Sequence, residues 1–197
     1  MTTRLVAKEQ RRQELIAAAS EIIAERGYHS TRLEDVGAAA GISGPAVYRH
    51  FSGKEDLLGA ILIEISERLL AGGRRIALIA KQTGADPTET MRELVRFHVE
   101  FAVTEPDRIL VQSRELGNLC ATDNQKVRAL QREYIEIWSA FYADAMPHLG
   151  KEAVRLRIQL VAGLINSAYH LRRWAEKDVM RTEASAMALR ALDLVKG

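Results

Sequence analysis

Residues 30–54 read STRLEDVGAAAGISGPAVYRHFSGK, and this stretch decides the fold. Thr31-Arg32-Leu33-Glu34 has the form of a capping box. There the Thr31 hydroxyl accepts from the first free amides and Glu34 reaches back to the cap amide. Val36 and Ala38-Ala39-Ala40 predict a small, closely packed helix. Gly41 supplies the turn, because glycine enters the left-handed region without steric cost. Ser43 can cap a second helix over 44–50. Helix, glycine turn, cap, helix is the pattern of a helix-turn-helix.

On that second helix Val47 and Phe51 share one side and can be buried. Pro45 and Arg49 lie opposite, with Ala46 and Tyr48 on the flanks. His50 and Lys54 follow. A dry inner edge with Arg, Tyr, His and Lys outside it suits the major groove of duplex DNA. Here the sequence resembles the TetR family of bacterial transcriptional regulators. The resemblance rests on Gly27-Tyr28, Thr31, Leu33, Asp35-Val36, Ala40-Gly41-Ile42-Ser43, Val47-Tyr48-Arg49-His50-Phe51 and Lys54-Glu55-Asp56-Leu57-Leu58, within residues 10–60.

The resemblance implies phosphate contacts from Tyr48, His50 and Lys54, with Thr31 able to donate to a phosphate as well. It sets Ser43, Gly44, Pro45, Ala46 and Arg49 against the bases or the groove wall. Arg32 either reaches the backbone or stays solvated. Gly44, Pro45 and Ala46 carry no side-chain hydrogen-bonding groups. Readout would therefore rest on thymine methyl contacts, Arg49 and DNA shape.

Working outward, the 197 residues suffice for one or two domains. The 47% hydrophobic and 27% charged content is ordinary for a globular chain. Few aromatics, many Ala and Leu, and four prolines favour an all-α fold. No uninterrupted apolar stretch is long enough to span a membrane, and the charged N-terminus has no signal-peptide core. The single Cys120 excludes internal disulfides, fits a reducing cytoplasm and reads as a small buried hydrophobe. Net charge is only +2, so positive charge is local rather than global. Arg4, Lys8, Arg11 and Arg12 crowd the N-terminus. They read either as an arm for phosphates or a minor groove, or as a solvated, frayed end.

Nine helices and no sheet are expected. Helix one covers 8–26 and helix four begins near Gly53, behind a Ser52-Gly53-Lys54-Glu55 capping box. Helix four continues to about 81, with Gly72-Gly73 costing about 1 kcal/mol per glycine relative to alanine. That pair marks either a close helix contact or a bend used in signalling. Asp86-Pro87 starts helix five. Helix six spans 106–120, helix seven 122–145, helix eight 151–177 and helix nine 181–195. Two domains follow: 1–52 for DNA binding and 53–197 for effector binding and dimerisation.

In the second domain, Leu160, Gly163, Leu164, Ser167 and Leu171, then Met187, Ala188 and Ala191, suit either an internal core or a helix pair. The resemblance implies the pairing of the last two helices into a homodimer, hence a palindromic operator. Polar groups share faces with aromatics at Phe97, His98, Phe101, Arg114, Asn118, Tyr134, Trp138, Asn166 and Tyr169. Such a set either lines a small-ligand chamber or is plain core. The segments 114–119 and 130–134 resemble TetR-type regulators of lipid catabolism. This implies a fatty-acyl or sterol-derived effector, a CoA thioester among the candidates, with Arg114 or Arg172 meeting its anionic end.

The five histidines form no HExxH pair, and no GxGxxG, Walker or GxSxG motif occurs. No enzyme, cofactor or metal is therefore expected. The reading is a ligand-responsive regulator of duplex DNA, a repressor released by its effector. An activator, or a helical binding protein without DNA binding, remains the alternative.

Overall fold

The computed structural model describes residues 3–171 and 173–195. All described regular structure is helical: α1 Thr3–Arg26, α2 Leu33–Ala39, α3 Gly44–Val47, α4 Lys54–Thr83, α5 Pro87–Thr104, α6 Pro106–Glu115, a 3-10 turn Leu116–Asn118, α7 Ala121–Ala145, α8 Lys151–Asn166, α9 Ala168–Leu171 and α10 Lys177–Ala191. The nine expected helices are present, the eighth ending early at Asn166 with Ser167 as its cap and the one-turn α9 behind it. The Ser167 hydroxyl donates to the Leu164 carbonyl at 2.7 Å, a local bond that competes with helix continuation. The last helix accordingly begins at Lys177 rather than at 181. No described helix is long and apolar enough to cross a membrane.

Two compact units divide the chain. One comprises Met1–Ile65 with Leu110–Val127, the other Ser66–Ile109 with Arg128–Gly197. In the first, Leu15, Ile16, Ala19 and Ile23 of α1 are buried with Val36, Val47, Phe51, Leu57, Leu58 and Ile61. Helix α1 starts at Thr3, so the basic N-terminal residues are helical and not a loose arm. Gly41 adopts φ +70°, and the Ile42 amide donates back to the Gly37 carbonyl at 2.9 Å, which closes α2.

Three local expectations change. Arg32, not Thr31, occupies the cap position of α2, and no side chain caps it. Ala38 and Ala39 are exposed, and the close approach of α2 to α3 runs through Gly37, where a Cβ would lie 2.9 Å from Val47. At the start of α4 the reciprocal partner of Ser52 is Asp56 rather than Glu55, accepting from the Ser52 amide at 2.8 Å and its hydroxyl at 3.1 Å.

In the second unit α5 is the central helix. Met91, Leu94, Val95, Val99 and Ala102 are buried along it. Asp86 caps it, accepting from the Thr88 and Glu89 amides at 2.8 and 3.2 Å. Arg92 donates to the Leu194 carbonyl at 3.0 and 2.8 Å, and Arg181 pairs with Glu100, so both ends of α10 are fastened to α5.

Candidate functional site

The segment from Ser43 to Lys54 sorts its side chains cleanly. Val47 and Phe51 are buried at 0% and 2% exposure, while Ser43, Pro45, Tyr48 and Arg49 are exposed. Ser43 sits exposed at the α3 cap position without closing a side-chain cap bond. Gly44, Ala46 and His50 are half-buried. Past Val47 the chain tightens, with Arg49 and His50 amides donating to carbonyls three residues back. None of the described residues pairs with the Tyr48 hydroxyl or the Arg49 guanidinium.

Two other expected contact residues are committed inside the unit. Thr31 is 2% exposed and its hydroxyl donates to the Gly27 carbonyl at 2.9 Å. Its role is to close the α1–α2 turn, and it is not available to a phosphate. Lys54 donates to the Tyr28 and His29 carbonyls at 2.9 and 3.1 Å, with its ammonium 4.5 Å from the Tyr28 ring centroid. An ammonium has three donors, so one remains. Arg32 is exposed.

His50 lies in a strongly positive setting. Burial, then Lys8, Arg11, Arg12 and Arg49, hold its imidazole below the usual histidine range. Its Nδ1 is buried without a hydrogen-bond partner among the described residues. Sequence reading missed Glu115, which is buried and accepts from the Tyr28 amide at 3.3 Å and from Asn118 at 2.6 Å. A helical glutamate reads as surface unless its distant partners are known.

Of the expected effector residues, the second unit brings together His98, Tyr134, Trp138 and Asn166. His98 is fully enclosed. Its Nδ1 lies 3.2 Å from the Tyr134 hydroxyl and its Nε2 2.9 Å from Asn166 Oδ1. The amide oxygen can only accept, so Nε2 carries the proton and Nδ1 accepts from Tyr134. Burial pushes His98 below its ordinary value, against the Asn166 bond, and pushes the Tyr134 hydroxyl far up. The Trp138 ring stands edge-on to His98 at 5.8 Å between centroids. Its N–H is buried beside Tyr134 and has no hydrogen-bond partner among the described residues. The Ser139 hydroxyl is likewise buried without a partner.

The remaining candidates separate. Phe97 lies against Gly72, where a Cβ would meet its ring at 2.0 Å, and Tyr134 against Gly73 at 2.8 Å. The glycine pair is thus a close helix contact. Phe101 is buried under the Arg68 guanidinium, 5.0 Å from its ring. Tyr169 stacks on His170 at 3.8 Å. Arg114 and Asn118 belong to the first unit. Arg114 is exposed and Asn118 lies in the 3-10 turn, so they do not share one helix face as expected. Arg172 lies outside the described residues. Cys120 is half-buried.

On the last helices Leu160, Leu171 and Met187 are exposed at 64%, 45% and 51%, with Gly163, Ser167 and Ala191 also exposed. Leu164 is half-buried, and Leu156, overlooked in the sequence, is 58% exposed. Ala188 is completely buried within the protomer and is core, not outer face.

The geometry is that of a chain with a helix-turn-helix in one helical unit and a second unit that is helical as well, and comparison gives the class a family. Residues 15–61 match the family model for bacterial regulatory proteins of the tetR family, and residues 84–178 the tetracyclin repressor-like C-terminal domain. The chain belongs to the TetR family. It is 34% identical over 94 residues to the transcriptional activator FasR of Mycolicibacterium smegmatis, covering 48% of this chain and 41% of that protein. It is 30% identical over 132 residues to the transcriptional repressor KstR2 of Rhodococcus jostii, covering 66% and 63%. The matches therefore span less than two thirds of these relatives. A TetR-family regulator from Bordetella parapertussis shares the fold at TM-score 0.78 and 24% identity, over 94% of each chain. AibR, solved with isovaleryl coenzyme A and operator DNA, shares it at 0.69 and 17% identity, over 90% and 97%.

Proposed function

We propose that this protein is a DNA-binding transcriptional regulator. Residues 1–52 form its reading head and residues 53–197 its effector and dimerisation domain. The carrying observation is the outward face Ser43, Pro45, Tyr48 and Arg49 over a buried Val47–Phe51 edge. A short helix with exposed, unpaired polar groups on one side and apolar anchoring on the other suits insertion into a major groove. Arg32, Gly44, Ala46, His50 and the remaining Lys54 donor complete the proposed contact set.

We further propose a homodimer through the exposed Leu156, Leu160, Gly163, Leu171 and Met187 face, and hence a palindromic operator. Leu160→Glu should give a folded monomer by analytical ultracentrifugation, and a persistent dimer would exclude this face. The proposed effector is a small apolar acyl or sterol-derived molecule, with a CoA thioester as one candidate form. A carbonyl in it would accept from the Trp138 N–H beside His98, Tyr134 and Asn166. That the same fold holds isovaleryl coenzyme A in AibR supports this chemistry.

The proposed sign is repression relieved by effector, a shift between two populated states. Likeness to FasR favours the second reading, activation. Deleting the gene and measuring neighbouring transcripts separates them, a rise meaning repression and a fall activation. Native mass spectrometry of freshly purified protein should reveal a co-purified acyl or sterol species. A ligand of another class would overturn the effector reading.

A further inference from the structure

The basic residues ahead of the reading head form a defined structure. Because α1 begins at Thr3, Arg4, Lys8 and Arg11 follow one another at helical spacing on one face. That face leads into buried Leu15. Two arginines fix it against the helix-turn-helix. Arg11 donates to the Ala40 carbonyl at 3.0 Å and pairs with Glu14 at 2.6 Å. Arg12 lies over the Phe51 ring, 5.2 Å from its centroid.

The outcome is an open concavity of about 810 Å³ lined by Arg4, Lys8, Arg11, Arg49 and His50, together with Leu5 and Ala7. No acidic residue lines it. None of the described residues pairs with Arg4, Lys8 or Arg49, whose side chains are exposed. The His50 Nδ1 is buried and unpartnered. Unpaired like charges gathered in one hollow repel one another, and an anion relieves that repulsion. The hollow offers side-chain cations and an imidazole but is open, so it suits a passing polyanion better than an enclosed ion. Arg4 and Lys8 are about 6 Å apart along the helix axis, at 1.5 Å per residue. Over that length one strand of a duplex presents about two phosphates.

We propose that the first turns of α1 and the end of the α3 segment form a seat for the DNA backbone, in which Arg4 and Lys8 hold successive phosphates beside Arg49 and His50. This rests on the DNA-binding reading of the head. The seat contributes register and affinity rather than sequence choice, since phosphates carry no base information.

The test is the salt dependence of binding. Wild type and an Arg4→Gln/Lys8→Gln variant are titrated by fluorescence anisotropy. The probes are a duplex from the region upstream of the protein's own gene and a scrambled duplex of equal length. The slope of log affinity against log salt should become shallower by about 1.8, at about 0.9 per phosphate. Affinity should fall by the same factor for both duplexes, with thermal unfolding unchanged. Arg4→Lys/Lys8→Arg should keep the wild-type slope.

An unchanged slope and affinity in the glutamine variant, with wild type binding normally, would overturn the seat and leave the head reading intact. Loss confined to the upstream duplex would mean base reading and also overturn it. If inorganic phosphate, titrated calorimetrically at constant ionic strength, binds wild type but not the variant while the two proteins keep the same salt slope for DNA, the site is one for free anions and the seat is overturned. Wild type binding neither duplex would overturn the head reading and the seat together.

Discussion

The outer face of the α3 segment and the interior between α5, α7 and α8 treat polar side chains in opposite ways. Tyr48 and Arg49 are exposed and find no partner among the described residues. His98 and Tyr134 are enclosed and joined with half-buried Asn166 in one chain of hydrogen bonds. The first arrangement costs the free protein little and leaves donors ready for a partner that brings its own acceptors. The second is stable only while each member keeps its neighbour, because an enclosed polar group without a partner is expensive. One region is therefore built to be completed from outside, the other to hold itself together.

This contrast predicts that the two regions fail differently. Trp138→Ala should cost about 3–5 kcal/mol in denaturant unfolding, since it empties a fully enclosed site. Tyr134→Phe should come next, at about 1–3 kcal/mol, because it keeps the ring and leaves His98 Nδ1 without its donor. Urea midpoints for the two variants check both.

Gly73→Ala should be smaller still, about 1 kcal/mol or slightly more by thermal unfolding. Overpacking costs about 1–3 kcal/mol, and the better helix propensity of alanine returns up to about 1. It should nonetheless exceed Gly72→Ala, although the Gly72 contact is the tighter of the two. Phe97 is half-buried and can swing away, while Tyr134 is held by His98. If Gly72→Ala proves the worse variant, Tyr134 is not the fixed element.

Acid should act on the interior. His98 is held below its ordinary value in the folded state, so the unfolded chain takes up a proton first. Its contribution is present above about pH 6.5, the unfolded histidine value, and is lost as pH falls below it. Stability measured across this range should decline in wild type and decline less in His98→Gln.

Much of the head was legible in the sequence because its logic is local. Gly41 and the Val47–Phe51 spacing each act within one or two turns, as does Asp86-Pro87 at the start of α5 in the second unit. What failed in the head depended on which of several partners a side chain takes. Thr31 looked like a cap, but its hydroxyl bonds back to Gly27, and Lys54 looked free before Tyr28 and His29 closed around it. The interior was less legible for the same reason. Aromatics at helical spacing do not say which will meet. Phe97 and Tyr134 each found a glycine of α4, while Arg114 and Asn118 went to the other unit. Ala188 and Leu160 look alike as small or apolar helix residues, yet one is core and the other outer surface.

The smallest stability effect belongs to the region with the largest functional one. Tyr48→Ala with Arg49→Ala should shift unfolding by less than about 0.5 kcal/mol, as surface changes do. Anisotropy of the same variant against the duplex upstream of the protein's own gene tests the central claim most directly. The account predicts at least about a tenfold loss of affinity, about 1.4 kcal/mol, with the fold intact. Wild-type affinity in a fully folded variant would contradict it.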